Sequence, residues 1–249
     1  MSTPPDDKPD GARRPHGRRR SRRRVRGPEL TARDEDILCW IARHGVVTTE
    51  LIGRRFFWRP DAQDYGRWAA YRRVRALQTL GLVLSDKPFV DMPAVLRVTR
   101  EGARIADVGI RPAPLVVSQL RHSIALVWIT EYLEAANGGA ELTTERELRA
   151  QRYREREEGI READEGRTPD ALLRIPTNGP GAQGVLTVAV ELDLTRKDRR
   201  AMERLVRQYD YEKVDRIWWY VTPGRVERTQ ELVRELRADD RIEVRVWRD

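Results

Sequence analysis

The run VAVELDLTRKDRR, residues 188–200, closes an apolar stretch with two carboxylates two residues apart, Glu191 and Asp193, followed by Arg196 and Lys197. Side chains of a strand alternate between its faces, so Val188, Val190, Leu192 and Leu194 share one face and Ala189, Glu191 and Asp193 the other. Two like charges on one strand face repel unless water or a cation lies between them. The face is therefore expected to be solvated or to hold a metal ion. A third carboxylate, Asp170, follows Pro169 at the start of an earlier strand-like run, TPDALLRIP. If the two strands pair as a hairpin, Asp170 comes beside Glu191. Oxygen ligands converging at one sheet edge suit Mg²⁺ or Mn²⁺, and such an ion polarises a phosphoryl oxygen and lowers the pKa of an attacking water. Asp170, Glu191 and Asp193 are the expected metal ligands. Lys197 falls in the first turn of the next helix if Thr195 is its N-cap, in reach of a phosphate or the attacking water. The chain has only four lysines (Lys8, Lys87, Lys197, Lys213), and lysine exchanges protons where arginine does not.

Other residue types offer less. His122 lies near Ile124 and Leu126 and reads as a packed or surface histidine. His44 ends a helix, where a charged imidazole would meet the C-terminal dipole. No Cys/His spacing points to zinc and no Gly-rich phosphate loop occurs. Trp218, Trp219 and Tyr220 share a strand and read as core and sheet-surface packing rather than a base-stacking platform. Tyr209 and Tyr211 carry no pattern of their own that points to a covalent intermediate.

These residues need elements to position them. LTARDEDILCWIARHG reads as a helix with Thr31 as N-cap, Asp34 three residues on, and Gly45 at its end. A short second helix opens at Thr48 or Thr49 in TTELIGRRFF, and a polar loop with Pro60 and Gly66 follows. A third helix spans GRWAAYRRVRALQTLGLV, with Ala70, Val74, Leu77 and Leu80 on one face and Arg67, Arg72, Arg73 and Arg75 mostly elsewhere, stopped by Gly81. Strand, turn and strand come next: Val83–Leu84, a turn at Ser85–Pro88, and Val95–Val98; Thr99 then caps another helix. Three helices followed by a hairpin is the winged helix-turn-helix order, in which the third helix enters the major groove and the wing touches the backbone. Pro112 and Pro114 in RPAPLVV break helix and mark a linker. Beyond it come a long helix ending at Gly138–Gly139, a strand or turn with a helix start in ELTTERELRA, and QRYREREEGIREADEGR, dense in both charges and expected as a mobile loop or exposed helix. Strands, a helix with Met202, Leu205, Val206 and Tyr209 inward, then strand, helix and strand complete a mixed-sheet α/β unit.

The whole chain has 249 residues, 35% charged and 39% hydrophobic, with net charge +8. Residues 1–27 hold ten basic side chains and three acidic ones, so the opening segment carries +7 of that charge. An Arg-dense, Pro- and Gly-containing arm is expected to be disordered and to bind phosphate backbones by counterion release, through Arg18, Arg19, Arg20, Arg22, Arg23 and Arg24. Double-stranded DNA is the expected partner, with RNA a weaker alternative. No apolar run approaches the ~18–20 residues of a membrane helix, and no apolar segment follows the basic start, so no secretory signal or membrane contact is expected. The single cysteine, Cys39, fits a reducing, cytoplasmic setting on nucleoid or plasmid DNA. The expected organisation is an arm (1–28), a winged helix (29–110), a linker (111–117) and an α/β unit (118–249).

Pro169-Asp170 and Glu191-Leu192-Asp193 resemble the PD-(D/E)xK nuclease superfamily, where a Pro-Asp on one strand and an acid-x-Lys on the next sit in a restriction-endonuclease-like mixed-sheet domain. The departure is Asp193, which stands where that pattern has lysine; Lys197 is then a migrated substitute. The pattern also includes an earlier glutamate, for which Glu145, Glu147, Glu131 and Glu134 are candidates and Glu145 is favoured. The order of helix-hairpin unit, RHSIALVWI, TERELR, RTPDALL, VAVELDLTRK and RLVRQYD resembles the replication-relaxation family of actinobacterial plasmids, integrative elements and phages, over about residues 30–225. That resemblance implies an α+β, DNA-binding protein of plasmid replication or transfer. Two readings follow from it. One is a Mg²⁺- or Mn²⁺-dependent nickase using Asp170, Glu191, Asp193, Lys197 and Glu145. The other is a non-catalytic regulator or replication accessory factor whose nuclease-like domain serves homodimer formation or DNA docking.

Overall fold

The computed structural model describes residues 29–160, 167–179, 182–195, 199–209 and 214–248. The expected arginines at 18–24 and Lys197 lie outside the described residues.

The first half builds a small helical core closed by a hairpin. Helix α1 (Ala32–His44) is followed by the two-residue strand β1 (Val47–Thr48) and helix α2 (Thr49–Phe56). Asp34 returns to cap α1, accepting the Thr31 backbone N–H at 2.6 Å and its hydroxyl at 2.7 Å, and the Thr48 hydroxyl caps α2 by accepting from the Leu51 N–H. A tight hairpin, β2 (Trp58–Arg59) with β3 (Asp64–Tyr65), replaces the expected polar loop. It folds back because Gly53 leaves room for the Tyr65 ring; a Cβ on residue 53 would stand 2.2 Å from it. Helix α3 (Arg67–Thr79) buries Ala70, Val74 and Leu77, while Leu80, expected on that face, is exposed just past its end. Strands β4 (Val83–Asp86) and β5 (Val95–Val98) pair antiparallel, and β1 adds to the far side of β5, giving the order β1-β5-β4. Helix α4 (Arg100–Ala106), capped by Thr99, packs back onto α1. Residues 111–117 are held rather than free: Arg97 donates to the Ala113 carbonyl at 2.9 Å, and Arg146 binds the Arg111 carbonyl.

The second half is a five-stranded mixed sheet. Helix α5 (Leu120–Ala136) leads into β6 (Glu141–Thr144), α6 (Glu145–Glu157), β7 (Ala171–Gly179), β8 (Ala182–Asp193), α7 (Arg199–Tyr209), β9 (Arg216–Val221), α8 (Val226–Glu235) and β10 (Ile242–Val246). The strand order is β10-β9-β8-β7-β6. The β6, β7 and β8 pairings are antiparallel, and β8, β9 and β10 run parallel, because α7 and α8 carry the chain back between them. Pro176 interrupts nothing: β6 pairs only with Ala171–Arg174, so Pro176 sits where that side of β7 has no neighbour. The charge-dense stretch after residue 144 is a helix up to Glu157, opened by a Thr144–Glu147 capping box and with no fully buried residue.

The sheet's two faces carry separate cores. Val188, Val190 and Leu192 of β8 pack with Trp218 and Tyr220 under Ala125, Ile129 and Leu133 of α5. Ala189, Ile217, Trp219 and Val221 pack on the other side against Met202, Leu205 and Tyr209 of α7 and Leu232 and Val233 of α8. The aromatic residues of β9 are thus core, as expected. Helix α5 also turns Val127, Ile124 and Trp128 towards the core of α1–α3. A helix apolar nearly all round is one buried on both sides, and α5 is shared by both halves.

Candidate functional site

Glu191 and Asp193 do lie on one face of β8, opposite Val190 and Leu192, but that face is neither solvated nor open. Glu191 has no exposed surface and Asp193 has 2%. One step beyond the Ala171–Val190 ladder pair, Asp170 faces Glu191 across the hairpin. Its Oδ2 accepts the Leu192 backbone N–H at 2.8 Å and lies 3.2 Å from His122 Nε2. The register brings Asp170 beside Glu191 along the hairpin, but the two carboxylates have separate partners: Leu192 and His122 for Asp170, Arg167 and Tyr209 for Glu191.

Arginine occupies the position expected for a cation. Arg167, three residues before Asp170, clamps Glu191 with both arms of its guanidinium: Nε donates to Oε1 at 3.0 Å and an Nη to Oε2 at 2.8 Å. The Tyr209 hydroxyl, reaching in from α7, donates to the same Oε1. Asp193, on the same face, has partners of its own. Its carboxylate accepts from the Thr195 N–H at 3.1 Å and from Arg225 at 3.1 Å, while Arg225 also holds the Asp193 carbonyl at 3.0 Å. Burial pushes Glu191 above the ordinary carboxylate range and Asp170 pushes it further; Arg167 and Tyr209 pull against them. Tyr209 is pushed up by burial and then by the neighbouring Glu191 charge. A dry, paired carboxylate of this kind must break an ion pair before it can bind a metal or take a proton. Among the described residues no three His, Cys, Asp or Glu side chains are grouped to hold a metal ion. The residues present do not form an open ligand set for Mg²⁺ or Mn²⁺. Two half-buried guanidinia, Arg167 at Glu191 and Arg225 at Asp193, meet these carboxylates where solvent or a metal ion was expected.

Asp170 does reach a cleft of about 450 Å³ between the two halves of the fold, walled by His122, Glu145, Arg146, Arg149 and Thr195 from the second half and by Arg43 and His44 from the first. Glu191 and Asp193 are not part of its walls. Glu145, in the first turn of α6, is pushed up chiefly by burial and pairs with Arg149. His122 is pushed up by its hydrogen bond to Asp170, against the effect of burial, and also meets the Leu192 carbonyl at 3.2 Å. It packs as expected, and in doing so joins Asp170 at the cleft wall, where the hydrogen bond favours the protonated ring. Glu131 and Glu134 pair with Arg55, and Glu147 with Arg43, so these glutamates are structural. His44 is not the charged helix-end group expected: burial and the neighbouring Arg43 and Arg55 push it down to about 3, and its ring meets Trp40 edge-on.

No family model, curated protein or solved structure matches this chain.

The basic face of α3 is the second candidate surface. Arg67, Arg72 and Arg75 are exposed as expected. Arg73 is turned inward, bound through its guanidinium to the buried carboxylate of Asp34 and to the Glu29 carbonyl at 2.9 Å. Trp68 and Tyr71 share the exposed side of α3, with 77% and 44% of their surface free; neither was expected there. Their spacing against Ala70, Val74 and Leu77 was the available signal, since residues 68 and 71 fall off the buried stripe. Arg167, Arg225 and His122 had no such signal. Among the described residues no helix is long and apolar enough to cross a membrane.

Proposed function

We propose that the chain is a duplex-DNA-binding protein that acts without metal-dependent strand cleavage. On this reading α1 to β5 form a winged helix, with α3 in the major groove and the β4–β5 loop on the backbone. The mixed sheet is a nuclease-like body whose cation position is filled by Arg167. Its use in replication or transfer of a mobile DNA element follows from the resemblance to replication-relaxation proteins. The observation that carries the non-cleaving half is the bidentate Arg167–Glu191 pair with Tyr209 on the same carboxylate. Arg167 matches the carboxylate's charge, and with Tyr209 it takes three of roughly four lone-pair sites, so a metal ion would have to displace protein donors to bind there. Support for the binding half is the exposure of Arg72 and Arg75, together with the six arginines at positions 18–24.

Titrating the full chain into labelled duplex DNA over a range of salt tests both halves. Binding should weaken as salt rises, and Arg72→Ala with Arg75→Ala should lower the slope of log K against log salt by about 2, one for each phosphate that is no longer neutralised. Supercoiled plasmid should stay intact with Mg²⁺ or Mn²⁺. Metal-dependent nicking that disappears in Asp170→Asn and Glu191→Gln, with DNA affinity kept, would replace this reading with the nickase. Absence of any DNA affinity would remove it altogether.

A further inference from the structure

Helix α3 presents more than charge. Positions 68, 71, 72, 75 and 79 fall on one stripe at helical spacing, and four of them are Trp68, Tyr71, Arg72 and Arg75. The opposite stripe is buried, so this face cannot turn inward. Trp68 has 77% of its surface free, whereas Trp40, Trp218 and Trp219 are core residues. Arg67 lies over the Tyr71 ring, 5.7 Å from its centroid, which leaves a cation beside an exposed aromatic face. The hairpin leading into α3 exposes a further indole, Trp58, at 47%.

Large rings have little to read in a fully paired major groove, where base edges offer hydrogen-bond groups and only the thymine methyl offers an apolar contact. The same rings stack well on an unpaired base, and arginines beside them follow the phosphates. The alternation of ring and guanidinium on α3 fits that pairing of needs. We infer that α3 stacks Trp68 and Tyr71 on unpaired bases, so that the preferred ligand is DNA whose strands are locally opened rather than a fully paired duplex. This rests on the DNA-binding reading above and refines it: α3 would meet an opened stretch within the duplex rather than an intact major groove.

Three probes of one sequence decide it: a paired duplex, the same duplex with an internal unpaired stretch, and the single strand, each titrated with the full chain by fluorescence anisotropy. The opened duplex should bind most tightly. Trp68→Ala and Tyr71→Ala should each weaken binding to the opened and single-stranded probes by roughly 5- to 100-fold while changing the paired duplex little, and Trp68→Phe should keep most of the affinity because the ring is retained. Both positions are exposed, so folding is spared, and circular dichroism of the variants checks this. Equal affinity for paired and opened probes, with neither ring variant altering it, overturns the stacking inference and leaves duplex binding through Arg72 and Arg75 intact. No affinity for any probe overturns both. Unchanged DNA affinity with a change of oligomeric state in Trp68→Ala, read by sedimentation, makes the face a protein contact and overturns the inference as well.

Discussion

Glu191 is the most deeply placed charge in the sheet, and its surroundings are unequal in effect. Burial and Asp170 raise its pKa; Arg167 and Tyr209 oppose them. Removing the guanidinium leaves the carboxylate dry and unpaired, which costs about 3–5 kcal/mol in comparable buried pairs. Arg167→Ala should lose stability on that scale in urea unfolding at neutral pH. The loss should shrink as pH falls. A carboxylate whose folded pKa is raised above its ordinary value contributes stability below that ordinary value and forfeits it as pH rises through the folded one. Adding Glu191→Gln to Arg167→Ala should recover part of the loss at pH 7. A penalty under about 1 kcal/mol, flat with pH, would mean that water replaces the guanidinium freely and the pair is a surface one. The carboxylates of this site were legible because a strand's period of two places them. Arg167 was not, because almost every cation of the chain is arginine and loop residues have no period to betray their direction.

Individual elements were legible in proportion to their length. α1, α3 and the β4–β5 hairpin follow from apolar spacing and their caps, and β8 and β9 from long apolar runs. The two-residue strand β1 has no period to show; only its partner β5, nearly 50 residues later, makes it a strand. β2 and β3 are equally short and depend on Gly53 for their position. Arg73 misled for a related reason: its place on α3 looks outward in a helical count, but Asp34 of α1 draws its long side chain back over the core edge. Asp34 thereby joins two elements, capping α1 through Thr31 and anchoring α3 through Arg73. Asp34→Ala should cost roughly 2–4 kcal/mol, since it removes both a cap and a partner of a half-buried guanidinium. Asp34→Asn, which keeps an acceptor for Thr31, should cost clearly less in the same melt. Equal losses would show that the carboxylate's charge, rather than its acceptor oxygens, holds the joint.

At the scale of the molecule, α5 decides how the halves behave. It gives Val127 to the first core and Ala125, Ile129 and Leu133 to the sheet. Polar bonds reinforce the same seam: Trp40 donates to Glu131 at 2.9 Å, Arg55 reaches Glu131 and Glu134 at 2.7 and 2.6 Å, Arg43 pairs with Glu147 at 2.7 Å, and Thr144 donates to the Arg43 carbonyl at 2.9 Å. Neither half can unfold without exposing one side of α5 and stranding these groups, so the two should melt together. Urea unfolding followed by far-UV dichroism and by tryptophan fluorescence should give one coincident transition. Ile129→Ala, on the sheet side, should lower its midpoint by the equivalent of about 2–5 kcal/mol, and Val127→Ala, on the other side, should move that same transition rather than a separate one. Two resolved transitions, with Val127→Ala shifting only the first, would make the halves independent. The single transition has a functional corollary: DNA engaged by α3 would fix the orientation of the sheet and of the Asp170–His122 cleft wall, because α5 leaves no hinge between them.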